Sequence, residues 1–99
     1  MAGMQLRRYQ LLEGAMDGFL EWFPTIRAAR EQYGFKVEFL LADRENNQIV
    51  WAVSHPGDFD AAFETFAASP ERAAAFEGQP KRVDEMTVSM VDPFIAPGS

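Results

Sequence analysis

Arg7, Tyr9 and His55 are the three side chains in this 99-residue sequence whose types could do chemistry together. Arg7 and Tyr9 stand two apart in an alternating stretch, and that spacing puts both on one face of a strand. A guanidinium beside a phenol could hold the enolate or carboxylate of a substrate. The plainer reading pairs Arg7 with an acid on a neighbouring strand and packs Tyr9 with its hydroxyl satisfied. His55 is the single histidine and the only side chain that titrates near neutrality unperturbed. It reads either as a proton-moving group at a pocket mouth or as a turn residue beside Pro56. The turn reading is the simpler one, and the three groups are expected not to face one pocket. Ser54 is adjacent to His55, but consecutive strand residues point opposite ways, so they make no nucleophile–base pair.

A second set could line a ligand site: Trp51, Phe19, Phe23 and Arg27. Trp51 is expected as core or cavity wall, with an indole N–H able to donate to a bound oxygen. Arg27 and Arg30 lie near the apolar stripe of a helix. Their stems would cover apolar surface with the heads in water, or a head would meet an anion at a pocket rim. Nine Phe and five Met would make any cavity apolar and adaptable.

Composition removes several classes of function. With no cysteine and one histidine, thiolate catalysis, disulfides and a dedicated zinc site are not expected. No cofactor is expected: haem ligation by His55 would rest on a lone histidine, and no glycine-rich phosphate loop is present. The fifteen acids are scattered, with no close pair suited to glycoside chemistry. A net charge of −6 opposes nucleic acid and anionic membranes as partners. The opening residues carry no apolar signal core and no run approaches membrane-spanning length, so a cytoplasmic setting is expected.

The elements that must position these groups are legible in order. Met4–Leu11 alternates, with Gln5, Arg7, Tyr9 and Leu11 on one side and Met4, Leu6, Arg8 and Gln10 on the other. A helix is expected over Ala15–Gln32, its stripe formed by Met16, Phe19, Leu20, Phe23, Ile26, Arg30 and Tyr33. Pro24 should kink it or start a second piece. Phe35–Ala42 is a strand with Phe35, Val37, Phe39 and Leu41 on one face. The polar turn 43–47 makes it a hairpin with Ile49–Val53, a run apolar on both faces. Asp58 caps a helix bearing Phe59, Phe63 and Phe66; Ser69-Pro70-Glu71 starts a shorter one that stops at Gly78. Asp84–Val91 is the last strand, and residues 92–99 form an arm.

The order β-α-β-β-α-β is the ferredoxin-like plan, a four-stranded antiparallel sheet with its helices on one face. One domain is expected over 1–99, with its core at about 4–91. Apolar residues on both faces of the last two strands call for a second cover, so a homodimer forming an α/β barrel is expected.

The opening Leu6-Arg7-x-Tyr9-x-Leu11-x-x-Gly14 resembles the start of NIPSNAP-family domains, which run Leu-Arg-x-Tyr-x-Leu-x-x-Gly. The resemblance continues through the Tyr33-Gly34 helix exit and Trp51. Ser69-Pro70-Glu71 is similar to the family's Asp-Pro-Glu-Trp, with Arg72 where the family usually has Trp; Glu13 stands where it often has Pro. The resemblance implies a branch of the dimeric α/β-barrel group, which includes antibiotic-biosynthesis monooxygenases. It implies little about function, because that group mixes enzymes with proteins of no assigned activity. Three readings stand: a homodimer binding a small apolar ligand, a cofactor-free monooxygenase or isomerase acting on an aromatic or polyketide-like compound, or a purely structural dimerisation module.

Overall fold

The computed structural model describes residues 3–95. Seven elements follow in the order β1 (Gly3–Leu11), α1 (Met16–Glu31), β2 (Lys36–Asp43), β3 (Gln48–His55), α2 (Phe59–Ala67), α3 (Pro70–Phe76) and β4 (Val83–Val91). The strands form one antiparallel sheet in the order β2-β3-β1-β4, and the helices lie on one of its faces. This is the expected ferredoxin-like arrangement. Among the described residues no helix is long and apolar enough to cross a membrane.

Register determines which residues look toward the helices. Arg7 lies opposite Trp51 on β3 and Val88 on β4, while Tyr9 lies opposite Ile49 and Met86. Directly paired residues point to the same face, so Arg7, Tyr9, Trp51, Val53 and Met86 all face the helix layer. Ile49 and Val53 have no exposed surface and Trp51 is 2% exposed. Burial of each such side chain contributes about 1.5–3 kcal/mol.

The α1 stripe packs as its spacing requires, burying Met16, Phe19, Phe23, Ile26, Ala29 and Arg30. Pro24 lies inside a continuous helix and does not divide it. It sits on the exposed side, where the carbonyl that loses its partner can face water instead of the core. Asp58 and Ser69 cap α2 and α3, accepting from the backbone N–H groups of Ala61 and Arg72 at 3.1 Å each. Gly34, at φ 86°, ends the first helical segment in a backbone conformation that favours glycine.

β2 departs from the simple alternation. Its register against β3 shifts between Val37 and Phe39, leaving Glu38 as an extra residue. Such a bulge moves every later side chain to the opposite face. Val37 therefore faces the core, whereas Phe39 and Leu41, expected beside it, face away from the helices. Leu40 takes their place against the core. Glu38 accepts a hydrogen bond from Ser54 Oγ on β3 at 2.5 Å and approaches Lys36 Nζ on its own strand at 3.6 Å, which gives the polar side chain partners at the bulge.

The helix-free face carries Leu6, Phe39, Leu41, Val50 and Ala52. Ala52 is fully buried there, held between Leu6 and Phe39 on the two flanking strands, while Leu41 is 61% exposed. On the other face, β4 leaves Met86 and Met90 about half exposed. Val88, opposite Arg7, is 42% exposed in the single chain. Of the expected arm, Phe94 is fully exposed, and residues 96–99 lie outside the described residues.

Candidate functional site

A cavity of about 170 Å³ lies between the helix-covered face of the sheet and the helices. The sheet supplies Arg7, Tyr9, Trp51 and Met86; α1 supplies Phe19, Trp22, Phe23, Ile26 and Arg30; α2 supplies Phe63 and Phe66; Arg72, Phe76 and Val83 complete the lining. Most of that surface is aromatic. Trp51 stands edge-on to Phe23 and Tyr9, with ring centroids at 5.1 and 6.3 Å, and Phe19 meets Tyr9 edge-on at 5.8 Å. Contacts of this geometry add to the rings' burial and hold them in place.

Arg7 is held on its own strand. Nε donates to Tyr9 Oη at 2.6 Å, Nη1 to Gln5 Oε1 at 2.6 Å, and Nη2 to Met86 Sδ at 3.4 Å. These acceptors are neutral, so the expected pairing with a neighbouring acid is not formed. The i±2 spacing that places Gln5, Arg7 and Tyr9 on one face also makes them hydrogen-bond partners. Tyr9 accepts from Arg7, and its own hydroxyl proton has no acceptor among the described residues.

Arg30 is the more unusual group. It is 5% exposed, and its guanidinium lies 4.8 Å from the Phe66 ring centroid and 5.0 Å from that of Trp51. Its Nε and Nη1, and the Nε1 of Trp51, are buried without a hydrogen-bond partner among the described residues. Burial, then the nearby charge of Arg7, lowers the Arg30 pKa to about 10. The ion pairs among the described residues lie elsewhere, at Arg27–Glu31, Lys36–Glu38 and Arg44–Asp17. Cation–ring attraction offsets part of the burial cost but does not replace the missing acceptors.

Of the groups that the sequence points to, Arg7, Tyr9, Trp51, Phe19 and Phe23 meet at this cavity. Arg27 does not; it lies on the outer side of α1, half-exposed and 3.7 Å from Glu31. Arg30 reaches inward in its place, and the available signal is a charged residue four positions beyond Ile26 on an apolar stripe. His55 also lies outside the lining. Its Nδ1 accepts from the Gly57 backbone N–H at 3.0 Å, which leaves Nε2 to donate to the Tyr33 carbonyl, also at 3.0 Å. Packed edge-on against Phe35 at 4.9 Å, the ring closes the end of β3 onto the exit of α1. Phe63, Phe66, Arg72 and Phe76 carry no site signal in the sequence. They come from helices whose approach to the sheet is set only by folding.

The fold has counterparts among solved structures. A NIPSNAP domain protein from Burkholderia xenovorans superposes with a TM-score of 0.79 at 17% identity, over 96% of each chain. A NIPSNAP family protein of unknown function from Agrobacterium tumefaciens gives 0.81 at 14% identity, over 99% of this chain and 91% of that one. This chain has the fold of the NIPSNAP-domain proteins. The NIPSNAP-like fold extends to a protein provisionally named an antibiotic biosynthesis monooxygenase, from Bacteroides thetaiotaomicron. There the TM-score is 0.75 and the identity 18%, over 99% of this chain and 93% of that one. No family model and no curated protein sequence matches the chain. At these identities the likeness concerns the fold alone.

Proposed function

We propose that this protein binds a small, largely apolar ligand in the cavity between sheet and helices, and does so as a homodimer. The observation that carries the reading is the cavity itself. An engineered apolar cavity of about 150 Å³ holds benzene, so about 170 Å³ suits a body of one ring. A fused polyketide-like skeleton is too large for that space.

Binding is favoured over catalysis by the chemistry of the lining. A cofactor-free oxygenase or isomerase needs a group to take a proton, and among the described residues no Asp, Glu or His lines the cavity. Arg7 and Tyr9 remain able to steady a ligand oxygen. Homodimer formation is supported by the helix-free face, where Leu41 is 61% exposed beside Val50 and Phe39. A second sheet laid there would remove that apolar surface from water. A cytoplasmic setting rests on the absence of cysteine.

The test is a thermal-shift screen of single-ring and short-chain compounds, because a ligand selective for the native state raises the melting temperature. Compounds that stabilise the protein should lose that effect in Phe66→Trp, which places more volume beside the cavity. Stabilisation undiminished in that variant would show binding elsewhere.

A further inference from the structure

Five of the nine basic side chains gather at this cavity and its mouth. Arg7, Arg30 and Arg72 line the cavity, and Lys81 and Arg82 line an adjoining recess that shares Phe19, Trp22, Phe76, Val83 and Met86 with it. Among the described residues neither space is lined by an Asp or Glu. The chain as a whole is strongly acidic, at −6, so this concentration of positive charge runs against the composition. Aromatic walls of low polarity raise the effect of such charge on anything inside.

Within the cavity the open donors are few. Each Arg7 nitrogen already donates one hydrogen bond, to Tyr9, Gln5 or Met86, which leaves only the second protons of Nη1 and Nη2 free. Among the described residues Arg30 Nε and Nη1 are closed off without acceptors, which leaves Nη2 as the guanidinium nitrogen in contact with open space. Tyr9 keeps a hydroxyl proton to donate, because its oxygen accepts from Arg7. One guanidinium nitrogen with no hydrogen-bond partner and one phenol proton present a pair of open donors that suits the two oxygens of a carboxylate better than the three of a phosphate.

We propose that the ligand is a monocarboxylate with an apolar body of about one ring, its carboxylate met by Arg30 and Tyr9 and drawn in past Arg72, Lys81 and Arg82. This rests on the ligand-binding reading of the cavity and adds the charge of the ligand to it. Arg30 is then the specificity residue: its burial is unfavourable in the empty protein and becomes favourable once an anion supplies the acceptor.

Calorimetric titration of the full chain near neutral pH with benzoate and phenylacetate, each beside its neutral amide, tests the charge directly. The acids are expected to bind at least tenfold tighter than the amides, with a preference that collapses toward one in Arg30→Met and survives in Arg30→Lys. Acid and amide binding equally would overturn the anion assignment and leave the apolar cavity in place. Binding of neither class would overturn both. A preference unchanged in Arg30→Met would also overturn the assignment, by removing Arg30 from the site. Should Arg30→Met fail to fold, Arg72→Gln is expected to lower affinity for the acid several-fold and leave the amide unaffected; equal loss for both counts against the proposal.

Discussion

The Arg30 guanidinium lies 5.0 Å from the centroid of the Trp51 ring, and neither side chain has an acceptor among the described residues for its buried N–H groups. Buried donors are ordinarily paired. Two unpartnered groups side by side, one of them charged, are a feature that stability alone does not favour.

Replacing Arg30 by Met should therefore stabilise the empty protein. Replacing even a buried ion pair by packed apolar residues can gain about 1–4 kcal/mol, and an unpaired buried charge gives up no partner in the exchange. Lost ring contacts subtract from that, although a thioether keeps some of them. We expect a net gain of about 1 kcal/mol, seen as a rise in melting temperature of roughly 4–8 °C for a domain of this size. A lower melting temperature would show that the ring contacts outweigh the charge.

The same pair has a pH signature. Folding holds the Arg30 pKa at about 10, below its value in the unfolded chain. Between the two values the unfolded chain binds the extra proton, so stability rises with pH there, and the burial penalty is fully present below about pH 10. Arg30→Met lacks this linkage. The stability gap between the two proteins should be constant from pH 7 to 9 and narrow above pH 10, as measured by urea denaturation. A gap independent of pH would refute it.

His55 should matter to folding and not to ligand. Its alanine variant loses two hydrogen bonds and a ring contact, a cost of about 1–3 kcal/mol. Ligand affinity should stay within twofold, since the ring is not part of the cavity lining. A large fall in affinity with the melting temperature intact would return His55 to the site.

Gly34 and His55 should be coupled. A Cβ at Gly34 would meet His55 Nε2 at 2.8 Å, on a backbone at φ 86°. Gly34→Ala is expected to cost more than about 1 kcal/mol from the backbone alone, and more again from the close contact. The double variant with His55→Ala should be less destabilised than the sum of the two, with a coupling of at least about 0.5 kcal/mol. Strict additivity would place the ring out of reach of Gly34.

For assembly, Leu41→Glu introduces a charge on the helix-free face at a residue already 61% exposed. The folded single chain should tolerate it within about 0.5 kcal/mol. Sedimentation should show the parent as a dimer at micromolar concentration and the variant shifted toward monomer. A parent that sediments as monomer would remove the dimer from the proposal.

Local sequence signals were enough to set the elements and most of their faces. Period-two alternation put Gln5, Arg7 and Tyr9 together, the helical stripe put Phe19 and Phe23 inward, and Asp58 and Ser69 marked two helix starts through their capping oxygens. These signals are local, because each depends on the geometry of one strand or one turn of helix. What only the tertiary structure decided depends on other parts of the chain. The bulge at Glu38, which turns Phe39 and Leu41 away from the core, arises from pairing with β3. Arg27 and Arg30 lie about 60° apart around the helix, at about 3.6 residues per turn. The rotation at which α1 docks decides that Arg30 enters the cavity and Arg27 meets Glu31 at the surface. His55 was set apart from Arg7 and Tyr9 by the backbone of Tyr33 and Gly57, which together satisfy both of its ring nitrogens. A hydrogen bond formed across 22 residues leaves no periodic trace in the sequence.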